Sequence, residues 1–381
     1  MAGSRVQATG GAGGIRFPLA LYADKDDNSY GVVRLLAALC VVYTHSFGVV
    51  GGWSTPEPLV ASTGMSLGAH AVHVFFALSG FMVAASFERS SGVTDFVLAR
   101  TLRVMPALIV VNLLIVVAGG LILTNAAAAD YWTIDNAGRF FARTVLSFSV
   151  GVPLLGVFAD NPVPGAINIP IWTIRFEVLA YASLLLLLTA MALTRLRGMA
   201  RLWPVIAVLA VSAGWLGGAP DAESFSFADQ LARFFLAFYL GVAAWIARDR
   251  VPVGLPILLA TAAGATLALA TASALSYPLM ILAVAYGSFW LGSFRMGALQ
   301  RWTARTDLSY GIYIIGFFVQ QWLAWALPGL NSYGNAGLAM LIAAGAAWLS
   351  WTFVERPALN LRRRLMAAGQ VASRPTALPA E

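Results

Sequence analysis

The sequence predicts an all-α protein, a polytopic transmembrane helix bundle of about ten spans with both termini in the cytoplasm. Hydrophobic residues make up 59% of the 381 positions and charged residues only 11%, and the mean hydropathy of +0.77 is far above that of an ordinary soluble domain. Apolar runs of about 20 residues recur, each long enough to cross a hydrocarbon core about 30 Å thick. Basic residues gather on alternate connections, and this pattern predicts the orientation.

Hydropathy and helix-breaking residues divide the chain into candidate spans and two tails. Residues 1–27 are predicted to form a flexible cytoplasmic tail, residues 28–360 one transmembrane domain, and residues 361–381 a cytoplasmic C-terminal tail. The predicted spans are residues 30–50, 69–88, 106–124, 171–194, 203–217, 230–247, 253–271, 276–294, 308–327 and 336–354.

The arginines indicate which side of the membrane each connection occupies. If the spans alternate, the clusters at 89–103, 195–201, 248–250, 295–305 and 356–364 all lie on one side, which the positive-inside rule assigns to the cytoplasm. The net charge of +7 is therefore explained by topology. Nucleic-acid binding is not expected, because the chain has no long soluble basic region.

The first span carries two ionisable residues in the stretch RLLAALCVVYTH. Arg34 and His45 are eleven residues apart, so they share one helical face about 16 Å apart along the axis. Charged groups at membrane depth are costly and mark candidate sites. A second interpretation stays open, in which Arg34 reaches the interface and His45 bonds a backbone carbonyl.

The second span, GAHAVHVFFALSGFM, adds the other two histidines, His70 and His73. Three histidines can form a zinc site, but here the third would come from a different helix. We therefore favour histidines without a metal, and no metal is expected. Ser79 and its glycine neighbour mark a place where a helix or substrate can approach closely.

Two further stretches carry polar groups next to spans. Arg100 and Arg103 lie at i, i+3 and would suit phosphate groups, although orientation alone also places arginines there. In IPIWTIRFEVLAY, Glu177 and Tyr181 are i, i+4 neighbours. Glu177 is expected to face a polar cavity or to pair with an arginine. The outer segment 125–170 is predicted to be either functional or a cap.

Taken in order, these motifs resemble membrane-bound acyltransferase family 3, over about residues 28–360. The resemblance depends on six marks in this sequence. They are Arg34 with ten residues before His45, FFALSGFM, ARTLR with Arg100 and Arg103 ahead of Pro106, IWTIRFE with Trp172 and Glu177, LSYGIYII at 308–315, and FVERP with Glu355.

The resemblance implies an O-acyltransferase of the bacterial inner membrane. Its donor would be cytoplasmic acetyl-CoA or another acyl-CoA, with no permanently bound cofactor, and its acceptor a hydroxyl of a surface or lipid-linked carbohydrate. Polysaccharide-synthesis proteins and membrane lipid are the other expected partners. The resemblance also implies catalytic roles for His45, as the general base, and for Glu177. Three arginines would bind the donor: Arg34, Arg100 and Arg103. The residues that would bind the acceptor or shape the site are His73, Ser79, Trp172, Tyr181 and Tyr313.

The sequence departs from this family at one informative position and leaves other functions open. Many relatives carry a histidine where this chain has Gly316, so no role of that histidine is carried over. The soluble domain fused to some relatives is not expected here. A transporter or flippase for a lipid-linked sugar or an anion, and a non-catalytic scaffold, remain alternatives.

Overall fold

The computed structural model describes residues 17–24, 26–218 and 226–372, with the side chains at 363 and 367–372 excepted. This part of the chain is mostly helical, as predicted. Two strands of two residues, β1 (Phe17–Pro18) and β2 (Pro252–Val253), pair antiparallel. The α-helices are α1 (Tyr30–Gly51), α2 (Val60–Thr63), α3 (Leu67–Arg89), α4 (Val93–Ala118), α5 (Ala128–Tyr131), α6 (Arg139–Leu146), α7 (Ile174–Leu193), α8 (Leu202–Gly218), α9 (Phe227–Ile246), α10 (Leu255–Ala270), α11 (Ser276–Gly292), α12 (Gly297–Thr303), α13 (Ser309–Ala326), α14 (Ser332–Ser350) and α15 (Arg356–Ala372).

Each of the ten predicted spans overlaps one of these helices. Within the described residues, 7 helices are long and apolar enough to cross a membrane, or 8 if α11 and α12, bent by 109° at their junction, count as one span. Helix α10 is apolar but shorter, with 16 residues, and α13 carries the polar pair Gln320 and Gln321. The structure thus supports a multi-pass helical bundle.

Helices α3 and α9 pack closely against each other. A Cβ on Gly80 would overlap the backbone carbonyl of Phe238, and one on Gly241 would overlap that of Ala77. Only glycine permits so close an approach of two helix backbones. The rings of Phe76 and Phe234 stack at 4.5 Å beside it.

Helix α1 packs between α3 and α13. Thr44 Oγ1 accepts a hydrogen bond of 2.7 Å from the backbone N–H of Gly68. On the other side, Gln320 Nε2 donates to the carbonyl of Val42 at 2.7 Å. A Cβ on Gly316 would lie 2.7 Å from Val42 Cγ2. The glycine that departs from the family pattern is therefore the residue that lets α13 approach α1.

The outer segment is fastened to α13 by buried amides. Asn161 Nδ2 donates to the backbone carbonyl of Gln321 at 2.9 Å, and Gln321 Nε2 donates to the carbonyl of Ala166 at 2.7 Å. Asn168 Nδ2 donates to the carbonyl of Ile314 at 2.7 Å. These bonds hold residues 161–168 along α13, between Ile314 and Gln321.

The two predicted tails are only partly described. Residues 1–16 and 373–381 lie outside the described residues. Residues 17–22, assigned to a flexible tail from sequence, pack against the bundle instead: Leu19 is fully buried and its N–H donates to the carbonyl of Val251 at 2.9 Å. Residues 361–372 continue α15 as a helix.

Candidate functional site

A cavity of about 650 Å³ opens among α1, α3, α4, α7, α13 and α15. At one end its lining includes Asp24, Arg34 and Arg362, and at the other Val72 and Tyr313. On α3 alone the lining extends from Val72 to Arg89, a rise of about 25 Å along the helix axis. The cavity therefore joins the arginine-rich ends of the helices to the interior of the bundle.

The arginine-rich end contains a network of ion pairs. Asp307 Oδ2 lies 2.7 Å from Arg34 Nη1 and 2.6 Å from Arg103 Nη2, and Arg103 Nη1 lies 2.9 Å from Glu355 Oε2. Burial of Asp307 opposes its ionisation, but Arg103 and Arg34 outweigh burial and hold the pKa of that carboxyl well below its ordinary value. Two cations are thus neutralised by two anions.

The structure separates the three arginines predicted to bind the donor. All three line the cavity, but Arg34 and Arg103 are engaged by carboxylates. Arg100 has no ion pair among the described residues: it donates to Ser86 Oγ at 3.4 Å, lies 5.8 Å from the centroid of the Tyr181 ring, and keeps its Nε without a partner. Arg100 is therefore the arginine best placed to contact an anionic ligand in the cavity.

A chain of polar side chains lines the cavity wall formed by α3 and α7. The Tyr181 hydroxyl donates to Glu177 Oε1 and lies 3.2 Å from Ser79 Oγ. All three residues line the cavity. Glu177 thus faces a cavity, as the first of the two sequence interpretations predicts, and forms no ion pair with Arg175 or Arg233 in the part of the chain described.

Two tyrosines of α13, Tyr310 and Tyr313, also line the cavity, and the hydroxyl group of each is hydrogen-bonded. The Tyr313 hydroxyl lies 2.6 Å from Thr173 Oγ1, and both residues line the cavity at the end that lies inside the bundle. The Tyr310 hydroxyl donates to the carbonyl of Val104 at 2.8 Å, and the Arg103 guanidinium lies 5.3 Å from its ring centroid. Helix α13 therefore places one hydrogen-bonded tyrosine beside the ion pairs and another at the far end of the cavity.

Three predicted site residues lie outside the cavity lining. His45 is half-buried, and its ring meets Phe317 edge-on at 5.3 Å. His73 is fully buried between Phe234 and Tyr277, each 6.3 Å from its ring centroid. Trp172 packs on Phe234 at 5.6 Å.

The histidines also bear on the zinc alternative. His70 Nε2 lies 3.2 Å from Thr63 Oγ1, whereas His73 is enclosed among aromatic rings. In residues 17–24, 26–218 and 226–372, no group of three or more His, Cys, Asp or Glu is arranged to hold a metal ion.

Sequence reasoning missed Asp307 and Tyr310, and treated Glu355 only as a family mark. One signal for Asp307 was present, since an acid directly before a predicted span needs a partner. Hydropathy does not name that partner, because Asp307 is 273 positions from Arg34 and 204 from Arg103.

The chain is similar in sequence to known proteins over most of its length. The model of the family described as acyltransferase domain matches residues 27–355. The chain is 26% identical to a Shigella phage Sf6 protein named O-acetyl transferase, over 86% of this chain and 95% of the relative. It is 28% identical to nodulation protein 10 of Rhizobium leguminosarum bv. viciae, over 89% of this chain and 95% of the relative. No solved structure matches.

Proposed function

This chain belongs to the acyltransferase-domain family, and from that membership we propose that it is an integral membrane O-acetyltransferase. It transfers an acyl group, most simply acetyl, from cytoplasmic acyl-CoA to a hydroxyl of a surface or lipid-linked carbohydrate. The observation that carries this proposal is the cavity, which connects an arginine-rich entrance with the polar chain of Ser79, Tyr181 and Glu177 inside the bundle.

The proposed topology retains the ten spans and the cytoplasmic termini. It places the protein in the bacterial inner membrane with the arginine-rich ends of the helices inside the cell. The entrance of the cavity, at Arg34 and Arg362, then opens toward the compartment that holds acyl-CoA. This orientation is supported by the agreement between the charge pattern and the position of the entrance.

The donor would lie along the cavity with its phosphates at the entrance. Arg100, with its Nε unpartnered, supplies the strongest contact for phosphate oxygens. Arg34 and Arg103 shape the entrance through Asp307 and Glu355. The lining on α3 is about 25 Å long, which allows an extended pantetheine arm to carry the thioester toward Tyr313.

The reaction would proceed by general-base catalysis. His45 removes the proton from the acceptor hydroxyl, the oxygen attacks the thioester carbonyl carbon, the C–S bond breaks, and the departing sulfur takes the proton from the imidazolium. An imidazole suits this step because its neutral ring nitrogen can accept a proton and then return it. The cavity lining includes Phe75 and Tyr313, whose rings meet at 5.6 Å, but not His45, so the acyl group must pass beyond this lining to reach His45.

The other site residues would hold the reactants. Glu177, oriented by the Tyr181 hydroxyl, provides a carboxylate inside the cavity, where it would bind the sugar. Ser79 and Tyr313 contact the donor arm or the acceptor from the cavity walls. His73 and Trp172 shape the acceptor side through Phe234. The carbohydrate acceptor, membrane lipid and polysaccharide-synthesis proteins are the proposed partners.

Labelled acetyl-CoA tests the proposal. Membranes that contain the protein are incubated with the labelled donor and glycan from the same cells, and the label in the glycan is measured before and after mild alkali. The expected result is label that alkali releases, because an O-acetyl ester is alkali-labile. Membranes without the protein are the control. Equal label in both preparations would overturn the proposal and favour transport.

A further inference from the structure

We propose that a cluster around Arg233, comprising Arg233, Arg175, His73 and Tyr277, binds an anionic group of the acceptor, a phosphate or a carboxylate. This inference rests on the proposed function, because it names the chemical class of the acceptor. The observation behind it is a cation inside the bundle that no carboxylate of the described chain neutralises.

Arg233 on α9 is 9% exposed, and its Nε has no hydrogen-bond partner. It forms no ion pair within residues 17–24, 26–218 and 226–372. Asp229, one turn earlier, accepts hydrogen bonds from Trp215 Nε1 and Ser226 Oγ instead. A buried, unpaired charge costs several kcal/mol, so a ligand that supplies the counter-charge would stabilise this arrangement.

Two further polar groups beside Arg233 also lack partners. His73 is fully buried, and neither of its ring nitrogens has a hydrogen bond. The Tyr277 hydroxyl, on α11, is likewise without a bond. The Phe234 ring, over which Arg233 lies at 4.7 Å, is 6.3 Å from the His73 ring, and the His73 and Tyr277 rings are 6.3 Å apart. Guanidinium, imidazole and phenol can all donate hydrogen bonds, which suits an oxyanion.

A second cation lies on the neighbouring helix. The Arg175 guanidinium on α7 is 4.8 Å from the ring centroid of Phe176 and 5.7 Å from that of Phe227, and its Nε has no partner. The ring of Phe176 is in turn 5.3 Å from Phe234, over which Arg233 lies at 4.7 Å. The two arginines thus flank one aromatic group, and neither forms an ion pair in the described part of the chain.

The position of the cluster favours the acceptor over a bilayer lipid. The Phe234 ring, over which Arg233 lies at 4.7 Å, stacks at 4.5 Å on the ring of Phe76, which lines the cavity. An anion held here would be next to the place where the acyl group arrives. A phospholipid headgroup would meet the outer surface of the bundle, whereas His73 is fully enclosed.

Ligand-induced stabilisation tests the site without acyl-CoA. The full-length protein in zwitterionic nanodiscs is heated with inorganic phosphate, with glucose 1-phosphate, or with glucose, at constant ionic strength, and the Tm is recorded. We expect both phosphates, but not glucose, to raise the Tm of the wild type. Arg233→Gln should lower the phosphate affinity about tenfold or more, because charge-assisted bonds are lost. Arg143→Gln, at an exposed arginine, is the matched control and should keep the shift.

Tyr277→Phe keeps the proposal testable if Arg233→Gln fails to fold, and it should weaken phosphate binding without loss of the ring. Equal Tm shifts in the wild type and in both variants would overturn the proposal. So would an Arg233-dependent shift produced by phosphatidylglycerol alone, to which glucose 1-phosphate adds nothing, since that would identify a lipid site. Because no acyl transfer is measured, a failure of the proposed enzyme activity appears separately, in the labelled acetyl-CoA experiment.

Discussion

Arg103 and Asp307 are 204 positions apart in the sequence, and their side chains meet at 2.6 Å at the entrance of the cavity. The same carboxylate binds Arg34 at 2.7 Å. One acidic residue therefore ties α1, α4 and the start of α13 together where the donor is proposed to enter.

Replacing Asp307 with Asn should destabilise the protein more than any single change at an exposed arginine. The substitution leaves Arg34 and part of Arg103 without a counter-charge, and breaking a partly buried ion pair in this way costs about 1 to 3 kcal/mol. The Tm in detergent is the readout, and Asp135→Asn, at an exposed acid, is the control. A Tm equal to that of the wild type would show that the ion pairs contribute nothing.

The same network predicts a direction for the pH dependence of stability. Because Arg103 and Arg34 depress the pKa of Asp307 against the effect of burial, its stabilising contribution is complete above the unfolded-state pKa of about 3.9 and is lost as the pH falls below that value. The difference in unfolding free energy between wild type and Asp307→Asn should therefore be constant from neutral pH to about pH 5. A difference that shrinks within that range would contradict the assignment.

Arg100→Gln should raise the KM for acetyl-CoA about tenfold, with little change in Tm, because Arg100 lines the cavity but holds no carboxylate. Arg103→Gln should instead lower the Tm, since it releases Asp307 and Glu355. Initial rates at varied donor concentration separate the two effects. An unchanged KM in Arg100→Gln would mean that orientation in the membrane alone explains this arginine.

Glu177→Gln should reduce the transfer rate by about 100-fold or more, in the range for a lost acid–base or orienting group, and Tyr181→Phe by a smaller factor. The reason is their shared contact at the cavity wall. Glu88→Gln, at an acid outside the cavity lining, serves as the control. Full activity of Glu177→Gln in membranes would remove this carboxylate from the site.

Gly80→Ala should weaken the bundle, because the added Cβ would overlap the carbonyl of Phe238 and overpacking costs about 1 to 3 kcal/mol. Gly337→Ala in α14 is the contrast: nothing lies within 4 Å of its added Cβ, and alanine favours a helix by about 1 kcal/mol. Unfolding of both variants in the same detergent compares them. Equal stability of the two would argue against the close contact of α3 with α9.

The helices were the part of the fold that the sequence could predict. Apolar runs of span length need no partner to be recognised, and every predicted span overlaps a helix. The span count was less certain, because α10 is short and α13 carries Gln320 and Gln321, whose amides bond the backbone of α1 and the outer segment. Such bonds are visible only once the helices are packed.

Seven of the ten residues predicted for the site share one cavity, but the sequence did not predict how they are arranged. Arg34, Arg100, Arg103, Ser79, Glu177, Tyr181 and Tyr313 do line one cavity. Periodicity gave the face of α1 that holds Arg34, but it could not show that Asp307 already neutralises that arginine. Nor could it show that His45 lies beyond the cavity wall, against Phe317. Contacts between distant segments carry this information.

Acyl transfer by the His45→Ala protein is the most direct test of the account. The rate of label transfer from acetyl-CoA to glycan is measured for the wild type and for this variant at equal amounts in the membrane, with Cys40→Ala on the same helix as the control. The account predicts a rate lower by about 100-fold or more for His45→Ala and a retained rate for Cys40→Ala. Full activity of His45→Ala would contradict it.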